Sequence, residues 1–185
     1  MKNFYYEKSI VERKLPENFR EIDKCLFEAE FTKEFAFVTS KEFNDIVVYS
    51  NGICSQNGKF LIELFYNKKK IDFKTKIRLY KKTFFPVLKK AFHFNKKNID
   101  KGLLLTDHFS EGFFHWFADI YQKLEALSLS NDMFRDYILI IPATNNSGYV
   151  KETLKLYNIK YYIIQKDETV FVDKLIYIPS ISPTG

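Results

Sequence analysis

Only two cysteines occur in the 185 residues, Cys25 and Cys54, with no CxxC spacing and no histidine beside either. That scarcity argues against a disulfide framework or a structural zinc site and fits a reducing compartment. No apolar run approaches the roughly 18 residues of a membrane span. The opening stretch MKNFYYEKSIVERK lacks the apolar core of a secretory signal. No GxGxxG, P-loop, GxSxG or HExxH pattern is found, so dinucleotide enzymes, P-loop NTPases, serine hydrolases and zincins lose support. Glycine (6) and proline (5) are few, and no repeat or low-complexity segment interrupts the chain, which points to a packed fold rather than disorder.

What is present is apolar and basic. Hydrophobic residues make up 46% and charged ones 28%, ordinary for a globular chain, but aromatics reach 18%. The length suits one domain with a real core. Net charge is +6, and between Lys68 and Lys101 thirteen Lys or Arg stand against two Asp. Phe73, Tyr80, Phe84, Phe85, Phe92 and Phe94 are interleaved with these cations. A solvated lysine-rich face is one reading of the run. Attraction to an anionic leaflet, at about 1 kcal/mol per cation near the surface, is another. No helix-turn-helix, RNP or zinc pattern accompanies it, so no nucleic-acid partner is expected.

The residues from Thr106 to Leu129 organise the rest. Positions 113, 116/117, 120, 124 and 127 are apolar, the three-and-four spacing of a helix face, and predict Phe113, Phe117, Ile120 and Leu124 as core. Ser110 is the expected N-cap, with Glu111 as an anion near the positive helix end. His115 and Asp119 share a face one turn apart. Gly102 to Leu105 reads as a strand feeding this helix through Thr106-Asp107-His108, and α/β folds place ligands at such strand ends.

Periodicity predicts strands over 102–106, 136–141, 160–164 and 170–178, with helices over 111–129 and 148–157. That alternation leads to the expected fold: an α/β, Rossmann-like parallel sheet. Before it, strands are expected at 35–39, 46–49 and 60–64, with the turn dipeptides Asn51-Gly52 and Asn57-Gly58 between the last two. A short helix is expected within 17–27, and a helix kinked at Pro86 within 77–92. The chain thus divides into two regions: a β-rich one with the basic stretch over 1–101, and the Rossmann-like one over 102–185.

The run Phe113-Phe114-His115-Trp116-Phe117-Ala118-Asp119-Ile120, followed by Leu124 and Leu127, resembles the YYHWL-x-D-x-L-P-x-L signature of glycosyltransferase family 61. Three downstream stretches are similar in order. Tyr137 to Pro142 resembles that family's next strand, Lys151 to Ile159 its ETL-x-LLGI helix, and Asp173 to Ser180 its V-x-x-LIVPS strand. Ile46 to Leu64 resembles its N-terminal hairpin more loosely. The family includes enzymes of capsular polysaccharide synthesis and EGF-domain O-GlcNAc transferases. The resemblance implies the N-terminal half of a GT-B architecture, stopping before a second, donor-binding domain. It also implies inverting, metal-independent transfer from a nucleotide-sugar to a polysaccharide or glycan acceptor, with no cofactor beyond the donor.

Each site residue carries two readings. His115 is a base or acceptor contact, or else a buried histidine with a satisfied hydrogen bond. Asp119 orients His115, or is merely a paired helix carboxylate. The two share a metal-ligand spacing, but no third ligand is evident, so no metal is expected. Trp116 is a sugar-stacking platform or core. Asp107, His108, Ser110 and Glu111 are acceptor-binding candidates on the loop, or simply helix caps. The alternative to an enzyme is a saccharide- or partner-binding domain attached to an anionic surface. A cytoplasmic location, peripheral at the inner membrane, is expected.

Overall fold

The computed structural model describes residues 5–12, 14, 17, 20–24, 32–35, 38–61, 64, 74, 77, 95–106, 112–129 and 134–179. Its strands are β1 (Tyr5–Tyr6), β2 (Ser9–Glu12), β3 (Thr32–Phe35), β4 (Val38–Thr39), β5 (Lys41–Tyr49), β6 (Cys54–Gln56), β7 (Lys59–Phe60), β8 (Asn95–Leu104), β9 (Ile138–Ile141), β10 (Tyr161–Ile163) and β11 (Glu168–Tyr177). Helix α1 comes after β8 in three consecutive pieces, Phe113–His115, Trp116–Ile120 and Tyr121–Leu129. Helix α2 (Gly148–Leu156) comes after β9. β1 pairs with β4 and β2 with β3 in two small antiparallel ladders. All other strands form one sheet of 7, in the order β10-β9-β8-β11-β5-β6-β7.

This sheet corrects the expected Rossmann-like architecture. β10, β9, β8 and β11 run parallel, but β11/β5, β5/β6 and β6/β7 are antiparallel. Among the described residues one long helix and one of 9 residues accompany it, so the fold is mixed and strand-rich. The β–α–β–α–β alternation from residue 95 to 163 builds only one side of the sheet. The other side comes from residues 41–60, whose hairpins extend the same sheet through β5, and position 101 falls inside β8. The hairpin turns formed where expected. Asn57 and Gly58, with φ of 50° and 73°, make the two-residue link between β6 and β7. Of the expected helix over 17–27 the described residues are 17 and 20–24, and they hold a 3₁₀ turn, Glu21–Asp23. The expected kinked helix over 77–92 lies outside the described residues apart from Ile77.

The link from β10 to β11 shows how strongly the sheet curls. β10 ends beside the end of β9 (Ile163↔Ile141). Yet β11 begins beside the start of β8 (Glu168↔Asn95) after only residues 164–167. Five residue steps reach about 17 Å, whereas β8, with 10 residues, is about 33 Å long. The early halves of β8 and β11 must therefore fold back over the sheet face toward the end of β10. Contacts close the curl. The Ala143 amide donates to Ser50 O at 2.7 Å, and the Tyr162 hydroxyl donates to Glu168 Oε1 at 2.5 Å. Burial, helped by that hydrogen bond, pushes the Tyr162 phenol up to about 12. Gly52 sits against Pro142 with φ +81°, where an added Cβ would lie 2.8 Å from the proline ring.

A shared kink makes the curl. In each of three adjacent strands the residues facing the inner core change parity. Phe43 gives way to Ile46 and Val48, Val172 to Leu175 and Tyr177, and Ile99 to Leu104. Regular strands alternate every two residues, so each carries one extra residue. The ladders skip the same level: Val172↔Ile46 is followed by Lys174↔Asn44, and Val172↔Ile99 by Lys174↔Lys101. Exposed Asp45, Asp100 and Asp173 occupy that level, and Asp45 has φ 54°. Just beyond the kink, a Cβ on Gly102 would meet Val172 Cγ1 at 2.7 Å and Ile140 Cδ1 at 2.8 Å.

The curled sheet has two apolar faces. Ile46, Val48, Ile99, Leu104, Ile140, Val170, Val172 and Leu175 fill the concave one, together with Cys54. Burial there pushes the Cys54 thiol well above its ordinary range. The outer face, through Leu103, Leu105, Leu139, Ile141 and Ile176, is covered by Trp116, Ile120, Leu124 and Leu127 of α1 and by Val150 and Leu154 of α2. α1 thus lies with its core stripe on the sheet and its first turn just past the end of β8.

Candidate functional site

The site is built at the start of α1. Gly112 is extended (φ −82°, ψ 147°), and its carbonyl accepts from the Trp116 amide at 3.0 Å, opening the helix. Trp116–Ile120 is a π-helical turn inside α1. One extra residue in the turn rotates the first residues of the helix by about 100° relative to its later turns. Such turns are rare and recur at functional sites.

Across this turn His115 Nδ1 lies 2.9 Å from Asp119 Oδ2. The Asp119 side chain is 8% exposed and that of His115 35%. With its proton on Nδ1, the imidazole donates to the carboxylate and keeps a lone pair on Nε2. The buried carboxylate favours that tautomer and orients the ring. The pair can therefore accept a proton from a hydroxyl brought to Nε2.

Four residues further along α1 stands Lys123, which the motif-based reading of the sequence missed. It is fully buried, and its ammonium donates to Leu105 O at 2.7 Å, just past the end of β8. His115, Asp119 and Lys123 thus step down α1 at intervals of four, from half-exposed to buried. The signal was legible, since 123 falls on the apolar stripe 116, 120, 124 and 127. A lysine on such a stripe must either find a partner or unfold the helix.

Trp116 is entirely buried, and its indole N–H donates to Thr153 Oγ1 at 3.3 Å. No face is left for a sugar, so it belongs to the core. Phe113 and Phe117 were expected in that core and are instead 63% and 40% exposed. The π turn shifts Phe113 off the stripe, and Phe117 falls beside the stripe rather than on it. Both join an aromatic strip with half-buried Tyr149 and Tyr157: Phe113 and Phe117 are 4.7 Å apart between ring centroids, Phe113 and Tyr149 5.1 Å, and Tyr121 and Tyr157 5.6 Å. Asp107, His108, Ser110 and Glu111 lie outside the described residues. Just before them in sequence, Thr106 is buried, and its hydroxyl has no hydrogen-bond partner among the described residues.

No family model, curated protein or solved structure matches the chain. Among the described residues no three His, Cys, Asp or Glu side chains are grouped to hold a metal. A groove of about 420 Å³ at the far end of α1 is lined by Leu127, Phe134, Tyr137 and Tyr157, well away from His115 along the helix. Among the described residues no helix is long and apolar enough to cross a membrane.

Proposed function

We propose that the chain is a glycosyltransferase, or the acceptor-binding part of one, using a nucleotide-sugar donor and a saccharide acceptor with inversion. The observation that carries this reading is the 2.9 Å His115–Asp119 pair, with the carboxylate buried and the imidazole half open. In an inverting displacement the acceptor oxygen forms a bond to the anomeric carbon as the nucleotide phosphate departs with the electron pair. His115 takes the acceptor's proton, and Asp119 stabilises the imidazolium that results. The order of family-61-like motifs in the sequence supports the same choice. The test is a transfer and hydrolysis assay of the full chain with a panel of nucleotide-sugars and saccharide acceptors. Turnover with at least one donor is expected, and no turnover with any of them removes the catalytic role.

A second reading rests on exposed Phe113, Phe117 and Tyr121, flanked by half-buried Tyr149, rings of the kind that cover apolar sugar faces. It makes the chain a saccharide-binding module without chemistry. Saccharide binding that persists without turnover would favour it.

For location, we infer a cytoplasmic protein held at an anionic leaflet by the lysines of 68–101. In flotation assays it should rise with anionic vesicles at low salt and be released at high salt. Binding indifferent to lipid charge or to salt excludes electrostatic attachment.

A further inference from the structure

Phe114 follows Phe113 in the first turn of α1 but keeps different company. Phe113, Phe117 and Tyr121 step by four along the helix and meet Tyr149 and Tyr157. Phe114 instead stands edge-on to His115, with ring centroids 5.6 Å apart and planes at 77°. It is 66% exposed and belongs to neither apolar core cluster. A flat ring exposed to that extent keeps a face open to water, at a cost that only a ligand covering it would remove.

Gly112 borders the same imidazole. The Cα–Cβ bonds of a helix tilt toward its N-terminus, so side chains of the first turn lean back over the residue before it. A Cβ added to Gly112 would stand 3.7 Å from His115 Cδ2, with no other described atom within 4 Å. Cδ2 is bonded to Nε2, the nitrogen that takes the acceptor's proton in the glycosyltransferase reading. Gly112 itself is extended, at φ −82° and ψ 147°, a conformation open to every L-residue. The backbone thus has no need of glycine at 112. What the missing side chain does is keep clear the ground next to Nε2.

An open aromatic face beside a proton acceptor suits one chemistry in particular. A pyranose carries C–H groups on its faces and hydroxyls around its rim, so one molecule can cover the ring and present an O–H to the imidazole.

We propose that Phe114 and Gly112 form the acceptor-sugar subsite of His115: a pyranose lays its C–H face on the Phe114 ring, and a rim hydroxyl enters over Gly112 to Nε2. The role of His115 in this inference rests on the glycosyltransferase reading, to which it adds the residues that hold and select the acceptor. Phe114 and Gly112 take no part in the proton transfer. They position the sugar, so their substitution acts on acceptor affinity.

The probes are the methyl β-glycosides of glucose, galactose and N-acetylglucosamine, titrated into the full chain without donor. Binding is followed by the ring C–H NMR signals of the three histidines, with those of His115 assigned from His115→Gln. At least one glycoside is expected to shift the His115 signals. Sorbitol has the hydroxyls but no preorganised ring face and should bind at least about tenfold more weakly. Phe114→Ala should weaken glycoside binding by at least about tenfold with melting unchanged, and Phe114→Trp should restore it. Gly112→Val suits the extended backbone and should weaken binding to a similar extent, with slightly earlier melting from the poorer N-cap. Leu156→Ser, which removes another exposed apolar side chain, should change nothing. If Phe114→Ala unfolds, Phe114→Leu, judged by the same signals, takes its place. No shift at about 100 mM glycoside, equal binding of sorbitol, or unaltered affinity in the Phe114 or Gly112 variants overturns the proposal. Because the titration needs no donor, its failure is distinct from that of the transfer assay. Glycoside binding at His115 without turnover upholds the subsite and removes the enzyme, whereas turnover with affinity unaltered in Phe114→Ala does the reverse.

Discussion

His115→Gln is expected to lower turnover by about 10²–10⁴-fold, the usual worth of a positioned general base, with melting nearly unchanged. The imidazole is half exposed, lies 2.9 Å from Asp119 and belongs to neither apolar core cluster, so its removal leaves the apolar core intact. Glutamine keeps the size and a donor but has no basic nitrogen. Asp119→Asn should reproduce part of the loss, because an amide cannot stabilise the charged ring as a carboxylate does. It should also cost some stability, since Asp119 is buried. The measurements are kcat and kcat/KM against pH for folded protein of each variant, beside their melting curves. Were His115 only structural, its substitution would cost about 1–2 kcal/mol of stability and leave turnover per folded molecule unaltered. That outcome ends the catalytic assignment of this helix.

Trp116→Ala is expected to have the opposite signature. The indole is fully buried among Leu105, Ile120, Leu154 and their neighbours, and it donates to Thr153. Truncation removes the largest buried side chain of α1 and leaves a cavity, at a cost of about 3–5 kcal/mol. Denaturant unfolding should show a lower midpoint with an unchanged slope. Trp116→Phe keeps most of the volume and should recover the greater part. A loss of saccharide affinity with stability intact would instead mean that the ring is reachable by a ligand, contrary to its complete burial.

What was legible in the sequence was local. The helix 111–129 shows its core stripe through Trp116, Ile120, Leu124 and Leu127, and α1 puts those four on the sheet. The i,i+4 spacing of His115 and Asp119 likewise led to a contact. Phe113 was misplaced because a regular 3.6-residue period cannot register a π turn, and nothing in Trp116–Ile120 announces one; Phe117 was misplaced because it stands beside the stripe occupied by Trp116. The fold class was misread for a different reason. Alternating strands and helices specify which neighbours run parallel, but not which distant hairpin shares the sheet. That β5 would pair with β11 depends on residues more than a hundred positions apart, such as Val48 and Val170. The steps from Phe43 to Ile46 and from Val172 to Leu175 were visible as breaks in strand alternation. Their alignment across strands emerges only once the ladders form.

That alignment also limits the ways in which the sheet can be assembled. In a regular sheet, sliding one strand by two residues keeps every side chain on its face and sacrifices little beyond the ends. Here the same slide would move Asp173 away from Asp45 and Asp100 and carry the ladder gap onto paired residues. It would also turn apolar residues of β11 outward on one side of the break. β11 thus works as a key cut to two wards at once. It seats against β5 and β8 in a single position, and a slipped pairing is rejected from both sides of the strand.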